Sequence, residues 1–252
     1  MSAPRLLLVG SFTELEWGIR PALEEWAEVA TFDAPGVGEE PLPAGLEIDS
    51  TPVPELLSRW RDAVAERGLA EVDRHGWDRF VLVTDAYGTP AAVRLAQRRP
   101  ESVLGLAIGH ASLSHGHEGD RAPTRAGILE AFGQLAKQGN RAFVRYGLAQ
   151  MTRGGVSEEV AEEITQRFPD TKLVTTVIDA LHQEPEPIGD DLAALGLPLL
   201  LAKHEGCLGR TDEGFEDIVT AFGEAGTVIC PEACSSSPAF ADALRGFCET
   251  LS

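Results

Sequence analysis

The sequence predicts an α/β fold: a mostly parallel sheet of about six strands with helices on both faces. Short apolar runs alternate with amphipathic helical stretches from residue 6 to 109 and again from 198 to the end. Every run is separated from the next by enough chain for a crossover, which parallel pairing requires. Between Gly109 and about Pro187 the alternation stops and only helical patterns follow. The expected organisation is therefore a core in two parts, 1–114 and 188–252, interrupted by a helical insertion over 115–187. At 252 residues the chain is long enough for one well-buried core.

Leu6-Leu7-Leu8-Val9 is continuously apolar, as a strand buried on both faces should be. Trp17, Leu23 and Trp26 have the spacing of one helix face. Val29 to Phe32 read as a second strand, and Pro41 to Pro54 as a proline-bearing connection. Leu56, Leu57, Trp60, Val64 and Leu69 mark a long helix that Gly76-Trp77 closes. The strand Phe80 to Val83 runs through Thr84-Asp85-Ala86-Tyr87-Gly88 into a helix beginning at Gly88 or Thr89. Val103 to Ile108 form the next strand. Helical patterns then cover Ile128 to Leu135, Ala142 to Met151, Ser157 to Phe168 and Lys172 to Leu181. The first turn at Ser157-Glu158-Glu159 is acidic, which suits a helix start. Pro198 to Ala202 and Thr227 to Cys230 are the last strands, with helices from about Thr211 to Phe222 and from Pro238 to Leu251.

The chain carries 21 basic and 40 acidic residues, a net charge of −19. That charge repels nucleic acid and anionic lipid, so neither is an expected partner. No apolar run approaches the roughly 20 residues of a membrane span, and the first strand begins too early for a signal peptide, so a cytoplasmic location is expected. Four cysteines, Cys207, Cys230, Cys234 and Cys248, lie near the C-terminus without a zinc-binding pattern and are expected to be reduced thiols. His115 and His117 share a loop, but an i, i+2 pair with no third ligand does not make a metal site. No metal and no cofactor is expected.

Strand, sharp turn, helix is the frame of a nucleophile elbow. The stretch Thr84 to Gly88 resembles the G-x-S-x-G elbow of the α/β-hydrolase superfamily. Asp33-Ala34-Pro35-Gly36-Val37-Gly38 resembles that family's D-x-P-G-x-G loop, and Arg98 to Val103 its link after the elbow helix. The order of elements extends the resemblance over nearly the whole chain, although the family's usual first two strands have no counterpart. The resemblance implies that the insertion is a cap over the site, with Phe132, Phe143 and Tyr146 in the pocket wall. It also implies that Ser11 and Phe12, after the first strand, and Tyr87 at the elbow border an oxyanion hole. The chain departs from the family at the catalytic residues. Ala86 stands where the family has its serine, and the loop Pro231 to Ser237, where the family keeps its histidine, has none.

Ligand sites in parallel sheets gather at the carboxyl ends of the strands. Asp85, His110, His204 and Glu205 all fall there, with Cys234 as a further wall residue. A carboxylate beside an imidazole fixes its tautomer and favours its charged form, and such a pair performs acid–base chemistry without a covalent step. The expected arrangement sets His110 and the His204-Glu205 pair around one pocket above Ala86. The expected function is a non-classical hydrolase-lineage enzyme acting on a small, mostly apolar carbonyl compound, as hydrolase, lyase or cyclase. Two alternatives remain at this point: an inactive relative that binds a ligand or protein, and an esterase whose elbow serine was changed to alanine. The sequence leaves the oligomeric state open, a homodimer included.

Overall fold

The computed structural model describes residues 3–115, 158–167, 172–174, 176–177, 186–205 and 212–251. Six strands form one sheet in the order β2-β1-β3-β4-β7-β8: β1 (Arg5–Val9), β2 (Glu28–Thr31), β3 (Phe80–Asp85), β4 (Val103–Gly109), β7 (Leu199–His204) and β8 (Gly226–Cys230). All five pairings are parallel. The apolar runs explain the order. Leu6, Leu7, Leu8, Leu82, Val83, Leu106 and Ile108 are wholly buried, which suits strands covered on both faces. The β8 run is exposed at Thr227 and Ile229, which suits an edge.

Two apolar layers enclose the sheet. On one face the long helix α2 (Val53–His75) and the elbow helix α3 (Thr89–Arg98) pack against Leu7, Leu82, Leu106 and Leu201. Helices Gly189–Leu195 and Asp212–Ala221 complete that layer. On the other face Leu6, Leu8, Val83 and Ala202 meet the short helix α1 (Arg20–Glu24) and the C-terminal helix Pro238–Thr250. Gly76 ends α2 in the left-handed conformation at φ 64°, the usual role of glycine after a helix.

Two features differ from the sequence expectation. The helix expected across Trp17, Leu23 and Trp26 is broken into a 3₁₀ turn, Glu14–Glu16, and α1. Pro21 lacks an N–H and therefore sits in the first turn of α1. Gly18 lies against Ser236, where a Cβ would stand 3.0 Å from the hydroxyl oxygen. The second feature is a two-residue antiparallel ribbon, β5 (Ser114–His115) with β6 (Glu186–Pro187), which pairs residues at the two ends of the 115–187 stretch.

Between β5 and β6, Glu158–Arg167 is helical, as are 172–174 and 176–177. Leu173, Val174 and Val177 are buried in the same core layer as Val37 and Phe12. A Cβ on Gly36 would lie 2.7 Å from Leu173, so the glycine-bearing loop after β2 seats this segment. The helices expected over 128–135 and 142–151, with Phe132, Phe143 and Tyr146, lie outside the described residues. No described helix is long and apolar enough to cross a membrane.

Candidate functional site

The chain leaves β1 towards β2 on one side and, after α2, returns to β3 on the other. The sheet order reverses between β1 and β3, and in parallel sheets the crevice beyond the carboxyl ends at such a point is where ligands bind. The residues after β1, β3, β4 and β7 lie at those carboxyl ends.

Three polar side chains form a chain across the exits of β3, β4 and β7. Asp85 ends β3, His110 follows β4 and His204 ends β7. All three are buried. Asp85 Oδ1 pairs with His110 Nδ1, and His110 Nε2 meets His204 Nδ1. The rings stand edge to face, with centroids 4.4 Å apart and an interplanar angle of 85°. With both rings neutral the protons have one consistent order. His110 Nδ1–H donates to Asp85, His204 Nδ1–H donates to His110 Nε2, and His204 Nε2 is left as an acceptor. No described residue hydrogen-bonds that last nitrogen.

Local backbone chemistry makes this arrangement possible. Asp85 and Gly109 are direct partners across β3 and β4. A Cβ on Gly109 would lie 2.9 Å from Asp85 Oδ1 and 3.0 Å from the Cys234 Cβ. His110 has φ 50°, a conformation that side-chain-bearing residues adopt at a cost. Its backbone N–H lies towards the Cys234 sulfur and favours that atom's charged form. Strain held in this way by its surroundings is a feature of functional sites.

Glu205 does not join the chain of groups. Its side chain is exposed, and only its backbone N–H is held, by the Cys230 carbonyl at 2.9 Å. The physical reason is the pleat: successive residues on a strand face opposite ways, so once β7 turns His204 inward the next residue points out. The carboxylate on the imidazoles is therefore Asp85, from two strands away. Cys234 is also placed differently from an accessible wall residue. It is wholly buried, and its hydrogen bond to Cys230, together with burial and the Asp85 charge, pushes its thiol far up. The same hydrogen bond holds the Cys230 thiol down.

The exit of β1 also departs from expectation. The Glu16 carboxylate accepts three successive backbone N–H groups: Ser11 at 2.7 Å, Phe12 at 2.9 Å and Thr13 at 3.1 Å. The Phe12 N–H expected to polarise a substrate carbonyl is thus already engaged. Phe12 itself is buried, its ring 5.7 Å from that of Trp60. Ser11 is buried and its hydroxyl lies 3.5 Å from the Asp85 carbonyl. Burial, with a contribution from the Asp85 charge, pushes the Glu16 carboxyl up to about 7 against the pull of its three N–H bonds. The sequence reading missed Glu16. Its signal was Thr13-Glu14-Leu15-Glu16, the S/T-x-x-E pattern of a capping box, which the structure contains.

Ala86 opens the turn Ala86–Gly88 that leads into α3. A Cβ on Gly88 would lie 2.6 Å from the carbonyl oxygens of both Val9 and Gly10, so glycine lets the elbow approach the β1 exit. Tyr87 is half-buried against the core layer. His115 lies in β5, and His117 and Cys207 lie outside the described residues. Among the described residues no cluster of three or more His, Cys, Asp or Glu side chains is arranged to hold a metal.

No family model matches the chain. A stretch of 97 residues is 38% identical to RutD of Klebsiella pneumoniae, a protein whose name assigns it carbamate hydrolysis; the stretch is 38% of this chain and 32% of that protein. The solved structure of a thermophilic esterase from Thermogutta terrifontis superposes with a TM-score of 0.68 at 19% identity, over 99% of this chain and 91% of that one. A loop variant of haloalkane dehalogenase DbeA from Bradyrhizobium elkanii gives a TM-score of 0.72 at 19% identity, over 99% and 90%. At these identities the likeness is one of fold.

Proposed function

We propose that this chain, which has the α/β-hydrolase fold, is an enzyme that uses Asp85, His110 and His204 as an acid–base relay in place of a serine nucleophile. The observation that carries the reading is the buried line of Asp85, His110 and His204 at the carboxyl ends of three strands, ending on a ring nitrogen with no described partner. His204 Nε2 takes a proton from a water or from an acidic carbon of the substrate. The charge that forms on His204 is stabilised through His110 by Asp85, and all three groups are already in place before the reaction. Ala86 has no nucleophilic atom, so the steps are non-covalent: hydrolysis by an activated water, elimination or cyclisation.

The substrate class is a small, mostly apolar carbonyl compound. The apolar layer around Phe12, Trp60 and Tyr87 supports the apolar part. The partial likeness to a protein named for carbamate hydrolysis supports a carbonyl flanked by a heteroatom. The protein is proposed to act in the cytoplasm on a free small molecule.

Mass spectrometry of the protein as purified, released from any bound small molecule, gives candidate substrates. Turnover of these, and of aryl carbamates and enol esters, is then compared between the native protein and His204→Gln. A loss of roughly 10²–10⁴-fold in kcat is expected, the range typical of general base catalysis. A His204→Gln variant that turns over the same compound at the native rate refutes the relay. A native protein that holds its ligand unchanged is a binding protein instead.

A further inference from the structure

We infer that Glu16 determines specificity: its carboxylate fills the amide cradle at the exit of β1 from within, so the crevice accepts neutral carbonyl compounds and turns carboxylates away. The inference rests on the β1–β3 crevice being the ligand site, as proposed above.

Three consecutive N–H groups converging on one point make a strong site for a small anion. Here the acceptor that fills it belongs to the protein. Oε2 takes the Ser11 N–H, and Oε1 takes those of Phe12 and Thr13. No substrate group reaches these donors while Glu16 stays in place. The charges nearby reinforce the effect. Asp85, on the neighbouring strand exit, raises the electrostatic cost of a further negative charge at Glu16. From the loop after β2, Asp33 accepts the Thr13 hydroxyl at 2.7 Å and the Glu14 N–H at 3.0 Å. Arg20 pairs with Glu14 and Glu24, and Arg167 pairs with Glu14, Asp33 and Glu163. Both cations are therefore spent on acids beside the cradle. At the β1 and β3 exits both acids, Glu16 and Asp85, are already hydrogen-bonded, so a carboxylate substrate gains no donor there.

The test is amide NMR of Ser11, Phe12 and Thr13 in the native protein, Glu16→Ala and Glu16→Gln, with acetate, acetamide and chloride at equal ionic strength, and with benzoate and benzamide as larger probes. In the native protein acetate leaves the three signals in place, and benzamide binds at least tenfold more tightly than benzoate. In Glu16→Ala acetate moves the three signals saturably while acetamide and chloride do not, and the preference for benzamide over benzoate narrows at least tenfold. Glu16→Gln refills the cradle and loses the acetate response. The inference is overturned if acetate and acetamide act alike on Glu16→Ala, or if the native protein takes benzoate as readily as benzamide. Should Glu16→Ala fail to fold, the native comparison of benzoate with benzamide still decides. Failure of the relay reads out separately, as unchanged turnover in His204→Gln, a substitution that leaves the three amides untouched.

Discussion

A methyl group on Gly109 would stand 2.9 Å from Asp85 Oδ1, and its absence is what lets that carboxylate reach His110. Gly109→Ala is therefore expected to act through Asp85. The added Cβ pushes the carboxylate away or shifts β4 against Cys234. Overpacking of this kind costs about 1–3 kcal/mol. Turnover should fall as far as in Asp85→Ala, and the double variant should fall little further, because both changes break one link. Additive losses in kcat would show that the two residues act independently.

Asp85→Asn keeps the shape and removes the charge. The amide can turn its NH₂ towards His110 Nδ1, which reverses the tautomer and leaves Nε2 as a donor facing the Nδ1–H of His204. The expected loss in kcat is roughly 10²–10⁴-fold. The fold should lose about 1–3 kcal/mol from the mismatched buried pair. The check is turnover together with chemical denaturation.

Much of this was legible from the amino acids. The runs at Leu6–Val9, Phe80–Val83 and Val103–Ile108 reveal strands because burial on both faces leaves no polar position to confuse the period. Asp85, His110 and His204 were marked because each falls at the carboxyl end of an apolar run. Glu205 was misplaced because sequence adjacency to His204 says nothing of the pleat, which separates them. Glu16 was overlooked because its role depends on Ser11 and Phe12 turning their N–H groups the same way, a fact of backbone dihedrals. The positive φ of His110 was equally hidden, since nothing in Gly109-His110-Ala111 requires it.

Arg167 binds Asp33 at 2.7 Å and Glu14 at 3.0 Å through Nη1, and its carbonyl accepts the Gly38 N–H at 2.7 Å. It fastens the Glu158–Arg167 helix to the loops after β1 and β2. Arg167→Met removes the cation paired with Asp33 and leaves Glu14 with Arg20 alone, at a cost of about 2 kcal/mol for the charge-assisted hydrogen bonds. For a chain of this length Tm should drop by roughly 4–8 °C. Glu14→Gln should recover part of the loss by removing one of the two charges. A Tm unchanged in Arg167→Met would show that the helix is held by Leu173 and its neighbours alone.

Glu16 has a raised carboxyl, from the ordinary 4.5 to about 7. The folded state therefore binds a proton more tightly than the unfolded chain does. Its contribution to stability is fully present below about pH 4.5 and is lost as pH rises through about 7. Between these values the native protein should lose stability relative to Glu16→Gln, whose side chain does not titrate. Urea unfolding at pH 5 and pH 8 measures the difference. A native slope equal to that of Glu16→Gln would place the Glu16 carboxyl in its ordinary range.

An elbow that opens on Ala86 forms no acyl-enzyme. A fluorophosphonate probe should leave residues 84–88 unlabelled at any time of incubation. Stoichiometric adduct on Tyr87 would contradict a non-covalent site.

Asp85, His110 and His204 are proposed to form one ordered proton chain ending in a basic nitrogen. Histidine-selective ¹⁵N NMR at neutral pH reads it directly. The expected spectrum has a proton on His110 Nδ1, strongly deshielded and lost in Asp85→Asn, a proton on His204 Nδ1, and a bare His204 Nε2. A proton on His204 Nε2 with a bare Nδ1, or a His110 spectrum indifferent to Asp85→Asn, would contradict it.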